Sequence, residues 1–202
     1  IILLALMGCQ EDVQQPDYTQ VTLSIYNSGV VAYDSVFASV THAGQIYWQG
    51  RLSLSGSYFQ AVENVSAGSG YSAQGWVYAG GVRCYAGGTQ SFSIAEGEQK
   101  YIPINMVAQL PTAPYSLNAT TFSPTQINLT WADTSSLVTD YRIERGHASL
   151  DSLVEVATVG KSVRSYQNTG LFPNSLYIYR IRSHNPAGYS AYSNVDSTST
   201  NP

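Results

Sequence analysis

The hydrophobic residues of this chain come in short alternating runs, about 8–12 residues apart, separated by clusters of Gly, Pro, Asn and Ser. Alternation of apolar and polar residues puts every second side chain on one face of an extended strand. A helix needs apolar residues three and four apart, and no stretch after Gly8 sustains that period. The pattern predicts an all-β protein of two tandem antiparallel β-sandwiches. A length of 202 residues agrees with two modest domains. The boundary falls in Leu110-Pro111-Thr112-Ala113-Pro114, where paired prolines stop a strand and stiffen the connection. We expect one sandwich over residues 18–107, a linker over 108–113 and a second sandwich over 114–199.

In the second half, Leu117, Ala119, Ile127, Leu129 and Trp131 alternate as inward positions, as do Tyr141 and Ile143, then Tyr177, Tyr179 and Ile181. The order of motifs resembles a fibronectin type III domain. Pro-x-x-Leu at Pro114 and Leu117 opens it, Trp131 sits in its core, and Leu-x-Pro-x-x-x-Tyr runs from Leu171 to Tyr177. Asn-x-x-Gly-x-Ser over 185–190 supplies the last hairpin. The resemblance implies that Tyr177 is a tyrosine-corner residue, its hydroxyl tied to the backbone upstream. Integrin recognition through Arg-Gly-Asp in that hairpin is not implied, since the loop reads Asn185-Pro-Ala-Gly188. The same parity puts Arg142, Glu144, Arg180 and Arg182 on the outer face. This is a candidate charged patch, either a solvated ladder in which Glu144 pairs with Arg180 or Arg182, or a basic surface for an acidic partner.

The first half carries strand signals at Val21-Leu23-Ile25, then at 33–40, 45–52, 57–65, 71–79, 82–86, 89–94 and 99–107. Val65 to Gly70, the Ala95-Glu-Gly-Glu98 turn and the closing run Tyr101 to Met106 resemble small immunoglobulin- or transthyretin-like repeats of bacterial surface proteins. That likeness implies an immunoglobulin-like sandwich and no activity. Gly80-Gly81 and Gly87-Gly88, each within Tyr-Ala-Gly-Gly, are expected at tight hairpin turns.

Residues 1–8 form an apolar run too short to span a bilayer, which needs about 20 residues. The run suits the end of a signal-peptide core. Without an initiator Met or basic residues ahead of it, the sequence is expected to start inside that signal. Leu6-Met7-Gly8-Cys9 resembles the lipobox of bacterial lipoproteins, which implies lipidation of Cys9, with two acyl chains on the thiol and a third on the amine. Gln10 is similar to the outer-membrane sorting residue of that family, and Glu11-Asp12 to the surface-export signal of Bacteroidetes lipoproteins. Residues 9–17 then read as the lipidated cysteine and a flexible tether. The alternative is a buried N-terminal strand ending in an ordinary cysteine.

Few residues are available for catalysis. His42, His147 and His184 lie in separate regions and in no recognisable motif, so a nucleophile–histidine–carboxylate triad is not expected. No metal site or cofactor is expected either. Nine Lys and Arg against 13 Asp and Glu give a net charge of −4, which argues against gripping nucleic acid. If Cys9 carries lipid, Cys84 has no partner within the chain. It is then a buried thiol, an exposed thiol or an intermolecular bridge.

Aromatic residues are the main binding material in the first half, at 14 of the 91 residues in 17–107. In the strand at 71–79, Tyr71, Ala73, Gly75, Val77 and Ala79 share one face, and Ser72, Gln74, Trp76 and Tyr78 the other. With the small apolar face inward, Trp76 and Tyr78 stand outward beside Gln74. Tyr47 and Trp48 are adjacent, so one of them also turns away from the core. Flat rings flanked by amides suit the apolar faces and hydroxyls of sugars, and the alternative is that these rings are simply core.

Together these resemblances imply a non-catalytic lipoprotein of the outer membrane or cell surface. It would act as a spacer and binding or adhesion module for a protein or carbohydrate ligand. Two other readings stand beside it. One is the accessory front of an extracellular polysaccharide-degrading enzyme, for which Ser-Thr-Ser-Thr-Asn-Pro202 would begin another linker. The other is a structural subunit of a surface assembly, recruiting neighbours through sheet edges.

Overall fold

The computed structural model describes residues 19–26, 32–89 and 91–202. The expected signal segment, the lipidation at Cys9 and the tether lie outside the described residues. Among the described residues of the first half there are ten strands: β1 (Gln20–Tyr26), β2 (Ser35–His42), β3 (Gln45–Arg51), β4 (Ser53–Ser55), β5 (Tyr58–Asn64), β6 (Gly68–Ala79), β7 (Val82–Gly88), β8 (Phe92–Ile94), β9 (Gln99–Pro103) and β10 (Asn105–Ala108). They form one sheet in the order β4-β5-β1-β9 and a second in the order β10-β7-β6-β2-β3, with β8 also on β6. Val21, Leu23 and Ile25 meet Val36, Ala38, Val40, Tyr71 and Ala73 in the core between them. Each such large apolar side chain contributes about 1.5–3 kcal/mol when fully buried.

The closing run of the first half serves both sheets. It pairs with β1 as β9, bonds Ile104 N–H to the Ser24 carbonyl at 2.8 Å, and then pairs with β7 as β10. The β1–β9 pair is parallel, against the expectation of purely antiparallel sheets. A crossover from the opposite sheet, unlike a hairpin, is free to arrive in either direction. The turn before β9 lies where the sequence places it, with Gly97 at φ +70° and Glu98 accepting from Ala95 N–H at 2.7 Å.

The two glycine pairs differ in role. Gly80 and Gly81 have φ of +60° and +72° and form the two-residue turn between β6 and β7. Gly87 and Gly88 lie inside β7, not at a turn. The backbone of β10 passes so close that a Cβ on Gly87 would sit 1.8 Å from the Asn105 carbonyl oxygen. These glycines admit a neighbouring strand.

The second half contains β11 (Tyr115–Ser123), β12 (Gln126–Ala132), β13 (Asp140–His147), β14 (Val154–Gly160), β15 (Ser165–Thr169), β16 (Leu176–Asn185), β17 (Gly188–Tyr192) and β18 (Asp196–Ser199). One sheet runs β11-β12-β15 and the other β14-β13-β16-β17, with β18 also on β16. Leu117, Ile127, Leu129, Trp131, Tyr141, Ile143, Leu171, Tyr177, Tyr179 and Ile181 are all buried, as the alternation requires. Ala119 packs against them from a partly exposed position. The Tyr177 hydroxyl accepts from Phe172 N–H at 3.0 Å, which fixes the corner five residues upstream.

The halves touch at the β6–β7 turn. Ala79, Val82 and Cys84 form a small buried cluster that Tyr33, Tyr85 and Ala187 cover. A Cβ on Gly80 would lie 2.9 Å from Thr139 and 3.6 Å from Pro186, so the turn sits directly on the second sandwich. Cys84 is fully buried there, and burial pushes its thiol above the ordinary range.

Candidate functional site

Alternation along β2 and β6 determines which side chains leave the core. Val36, Ala38 and Val40 point inward, so Phe37 and Ser39 point outward; Ala73 and Gly75 point inward, so Gln74 and Trp76 point outward. Gly75 is needed inside, where an added Cβ would meet Ile25 at 2.7 Å. Strand register then builds rows across the outer face. Arg51, Phe37, Trp76 and Ala86 stand side by side on β3, β2, β6 and β7. Gln49, Ser39, Gln74 and Gly88 form the adjacent row, and Ser35, Tyr78 and Arg83 the row on the other side.

Phe37, Gln49, Trp76, Tyr78 and Arg83 line a shallow groove of about 400 Å³ on this face. Phe37 meets Tyr78 edge to face, with ring centroids 6.1 Å apart and planes at 90°. Trp76 is half-buried and Tyr78 is 36% exposed, so both rings offer surface to solvent. A row of rings bordered by an amide and a guanidinium combines apolar area with a few placed polar groups, as small-molecule sites do. A second hollow, of about 570 Å³, lies by Phe92, Ile102, Pro103 and Asn105, and it has no charged side chain in its lining.

Of the adjacent pair Tyr47 and Trp48, the sequence requires one to turn away from the core, and Tyr47 does; neither lines the groove. Trp48 packs against the core cluster, its ring lying over Gly50, where an added Cβ would sit 2.6 Å from the indole. Tyr47 is exposed but leans edge-on against Tyr71, with centroids 5.9 Å apart. The cause is a bulge: β2 and β3 shift register between Val40 and Thr41, so Tyr47 has no partner of its own on β2. Gln74 is exposed in the row next to Trp76, outside the groove lining. Phe37, Gln49 and Arg83 had no place in the sequence reading, although the parity of β2 already turns Phe37 outward.

The four charged residues of the second half do come together. Arg142 stands opposite Arg182, and Glu144 opposite Arg180. Glu144 is buried, 6% exposed, where the sequence suggested a solvated position. Arg180 holds its Oε2 at 2.6 Å, Arg182 approaches its Oε1 at 3.5 Å, and the Tyr192 hydroxyl donates to Oε1 at 2.7 Å. The arginines also stack: Arg180 lies 3.7 Å from the Tyr192 ring centre, and Arg182 lies 4.0 Å from that of Tyr189. These aromatic covers turn an exposed ladder into a half-buried network. Arg142 binds Asp140 at 2.6 Å and Glu155 at 3.1 Å. Burial alone would lower its affinity for a proton, but those carboxylates outweigh it and raise the guanidinium's pKa. With each arginine matched to a carboxylate, this face offers little charge to an outside partner.

The histidines are likewise engaged separately. His42 stacks on Tyr71 at 4.3 Å, His147 tilts over Tyr177 at 5.2 Å, and His184 Nδ1 lies 2.9 Å from Asp140. Among the described residues no three His, Cys, Asp or Glu side chains converge as a metal site.

Residues 112–199 match the family of the fibronectin type III domain. Among solved structures, the chain is similar to the FN1-FN3 domains of chicken CNTN1, at 16% identity over 83% of this chain and 56% of that one, with a TM-score of 0.44. It is also similar to the fn3 domain of human contactin 1, at 22% identity over 47% of this chain and 83% of that one, TM-score 0.43. The FN5 domain of Drosophila Lar matches at 21% identity over 46% of this chain and 99% of that one, TM-score 0.39. No curated protein matches the chain.

Proposed function

From the premise that residues 112–199 are a fibronectin type III domain, we propose that the protein is a non-catalytic binding and spacer module of the cell surface, held there by lipid on Cys9. In this reading the outer face of the β10-β7-β6-β2-β3 sheet binds carbohydrate beside the anchored end of the chain, and the second sandwich, which follows it, extends the chain onward from there. The observation that carries the reading is the solvent-facing trio Phe37, Trp76 and Tyr78, which borders Gln49 and Arg83 in one groove. Rings take the apolar faces of pyranoses, while amide and guanidinium groups take their oxygens. The fibronectin sandwich fits the spacer role, since the arginines of its charged face are held by its own carboxylates.

Native gels cast with xylan, mannan or polygalacturonate test the binding. We expect retardation of the whole chain by at least one polysaccharide, and loss of that retardation in Trp76→Ala. No retardation in any gel, or equal retardation of the variant, would contradict the proposal. Labelled-palmitate incorporation tests the anchor, which requires that Cys9→Ser abolish labelling.

A further inference from the structure

The sheet that carries the groove contains no Asp or Glu in any of its strands, β2, β3, β6, β7, β8 and β10. Its only Lys or Arg residues are Arg51 and Arg83, both exposed and both on the outer face. The face is thus locally positive in a chain whose net charge is −4. The described acidic residues of the first half are placed away from the face or turned from it. Glu63 is on β5 in the opposite sheet, and Glu96 and Glu98 are at the turn before β9. Asp34, just before β2, directs its carboxylate to Gly81 N–H at 2.9 Å.

The three cations of this half differ in what they bind. Lys100 is held by Glu98 at 3.0 Å and by the Ser93 carbonyl at 2.7 Å. Arg51 donates to the Asp34 carbonyl at 3.0 Å. Arg83 makes no ion pair or side-chain hydrogen bond with any described residue, and it borders the groove opposite Tyr78. A guanidinium beside an aromatic floor, with no carboxylate in the sheet, favours an oxyanion on a flat ring. Clearing one face of acids also gives an acidic protein a region that a polyanion can approach.

We propose that the groove takes an anionic polysaccharide built of uronic acid residues, its carboxylate on Arg83 and its ring on Trp76 and Tyr78. This inference rests on the carbohydrate reading above and narrows it to one chemical class. The discriminating experiment compares polygalacturonate with its fully methyl-esterified form, which keeps the backbone and removes the charge. Both are titrated calorimetrically into the full chain in EDTA, so that no bridging cation contributes, and then into Arg83→Gln, Trp76→Ala and Trp76→Phe. We expect polygalacturonate to bind at least tenfold tighter than the ester. Arg83→Gln should remove that preference while keeping ester binding, Trp76→Ala should lose both ligands, and Trp76→Phe should retain them in part. Equal binding of the two polymers, or a preference unchanged in Arg83→Gln, overturns the uronic acid assignment and leaves the carbohydrate reading standing. Failure of the wild-type chain to bind either form, together with no retardation on neutral polysaccharides, removes both.

Discussion

Asn185 binds Gln109 across the joint between the sandwiches: its Nδ2 donates to the Gln109 carbonyl at 2.8 Å. The same amide donates to the Leu137 carbonyl at 3.1 Å, and its Oδ1 accepts from Ala187 and Gly188 N–H at 2.8 and 3.2 Å. A fully buried amide thus organises the last hairpin of the second sandwich and clasps the linker at once. Asn185→Ala leaves several buried groups unpaired, and we expect a loss of about 2–4 kcal/mol in urea unfolding. Cys84, covered from the same joint by Ala187, should then react faster with a thiol reagent in the folded variant than in wild type. A variant as stable and as protected as wild type would show that the joint does not depend on this contact.

Acid stability should follow Asp140. Burial raises its pKa, but hydrogen bonds from His184, Arg142 and Thr139 outweigh that and hold the carboxyl below the usual range. A depressed folded-state pKa stabilises the protein above the unfolded value of about 3.9, and that stabilisation is lost as pH falls through the folded value. Asp140→Asn should therefore cost about 1–3 kcal/mol at pH 7. The gap to wild type should close as urea titrations move below about pH 4. A gap independent of pH would place the effect elsewhere.

Gly81 and Gly87 of the first sandwich give a paired test. Gly81 has φ +72° and open space around a built Cβ, so Gly81→Ala should cost only about 1–2 kcal/mol of backbone strain. Gly87 has no strained angle to relieve, but its Cβ would collide with the Asn105 carbonyl. Gly87→Ala should be the more damaging change, releasing β10 from β7, and amide hydrogen exchange should show lost protection over 105–108. Equal, small losses in both variants would argue against the close approach.

The second sandwich was legible because its signals are local. Leu117 and Ala119, then Ile127, Leu129 and Trp131, alternate along their strands, and the spacing from Leu171 to Tyr177 carries the corner geometry within seven residues. In the first sandwich the strands could be read but their meetings could not. A glycine pair signals a turn by composition, whereas Gly87 answers to a strand that returns 18 residues later. The parity of β6 turns Trp76 outward, and adjacency on β3 leaves Tyr47 exposed with Trp48 on the core, but neither signal shows the bulge that leaves Tyr47 without a partner on β2. Arg83 meets Tyr78 only through the bulged pairing of β6 with β7, so the groove depends on sheet order and register.

The central claim is that the groove at Trp76 binds sugar, and its most direct test is a site-resolved affinity. Oligogalacturonate titrated calorimetrically into wild type, Trp76→Ala and Tyr47→Ala compares a ring in the groove with an exposed ring outside it. Truncating a central aromatic anchor costs about 2 kcal/mol or more. The account predicts at least a tenfold loss of affinity in Trp76→Ala and a change within about twofold in Tyr47→Ala. No binding by wild type of this or of any neutral oligosaccharide, or equal losses in the two variants, would contradict it.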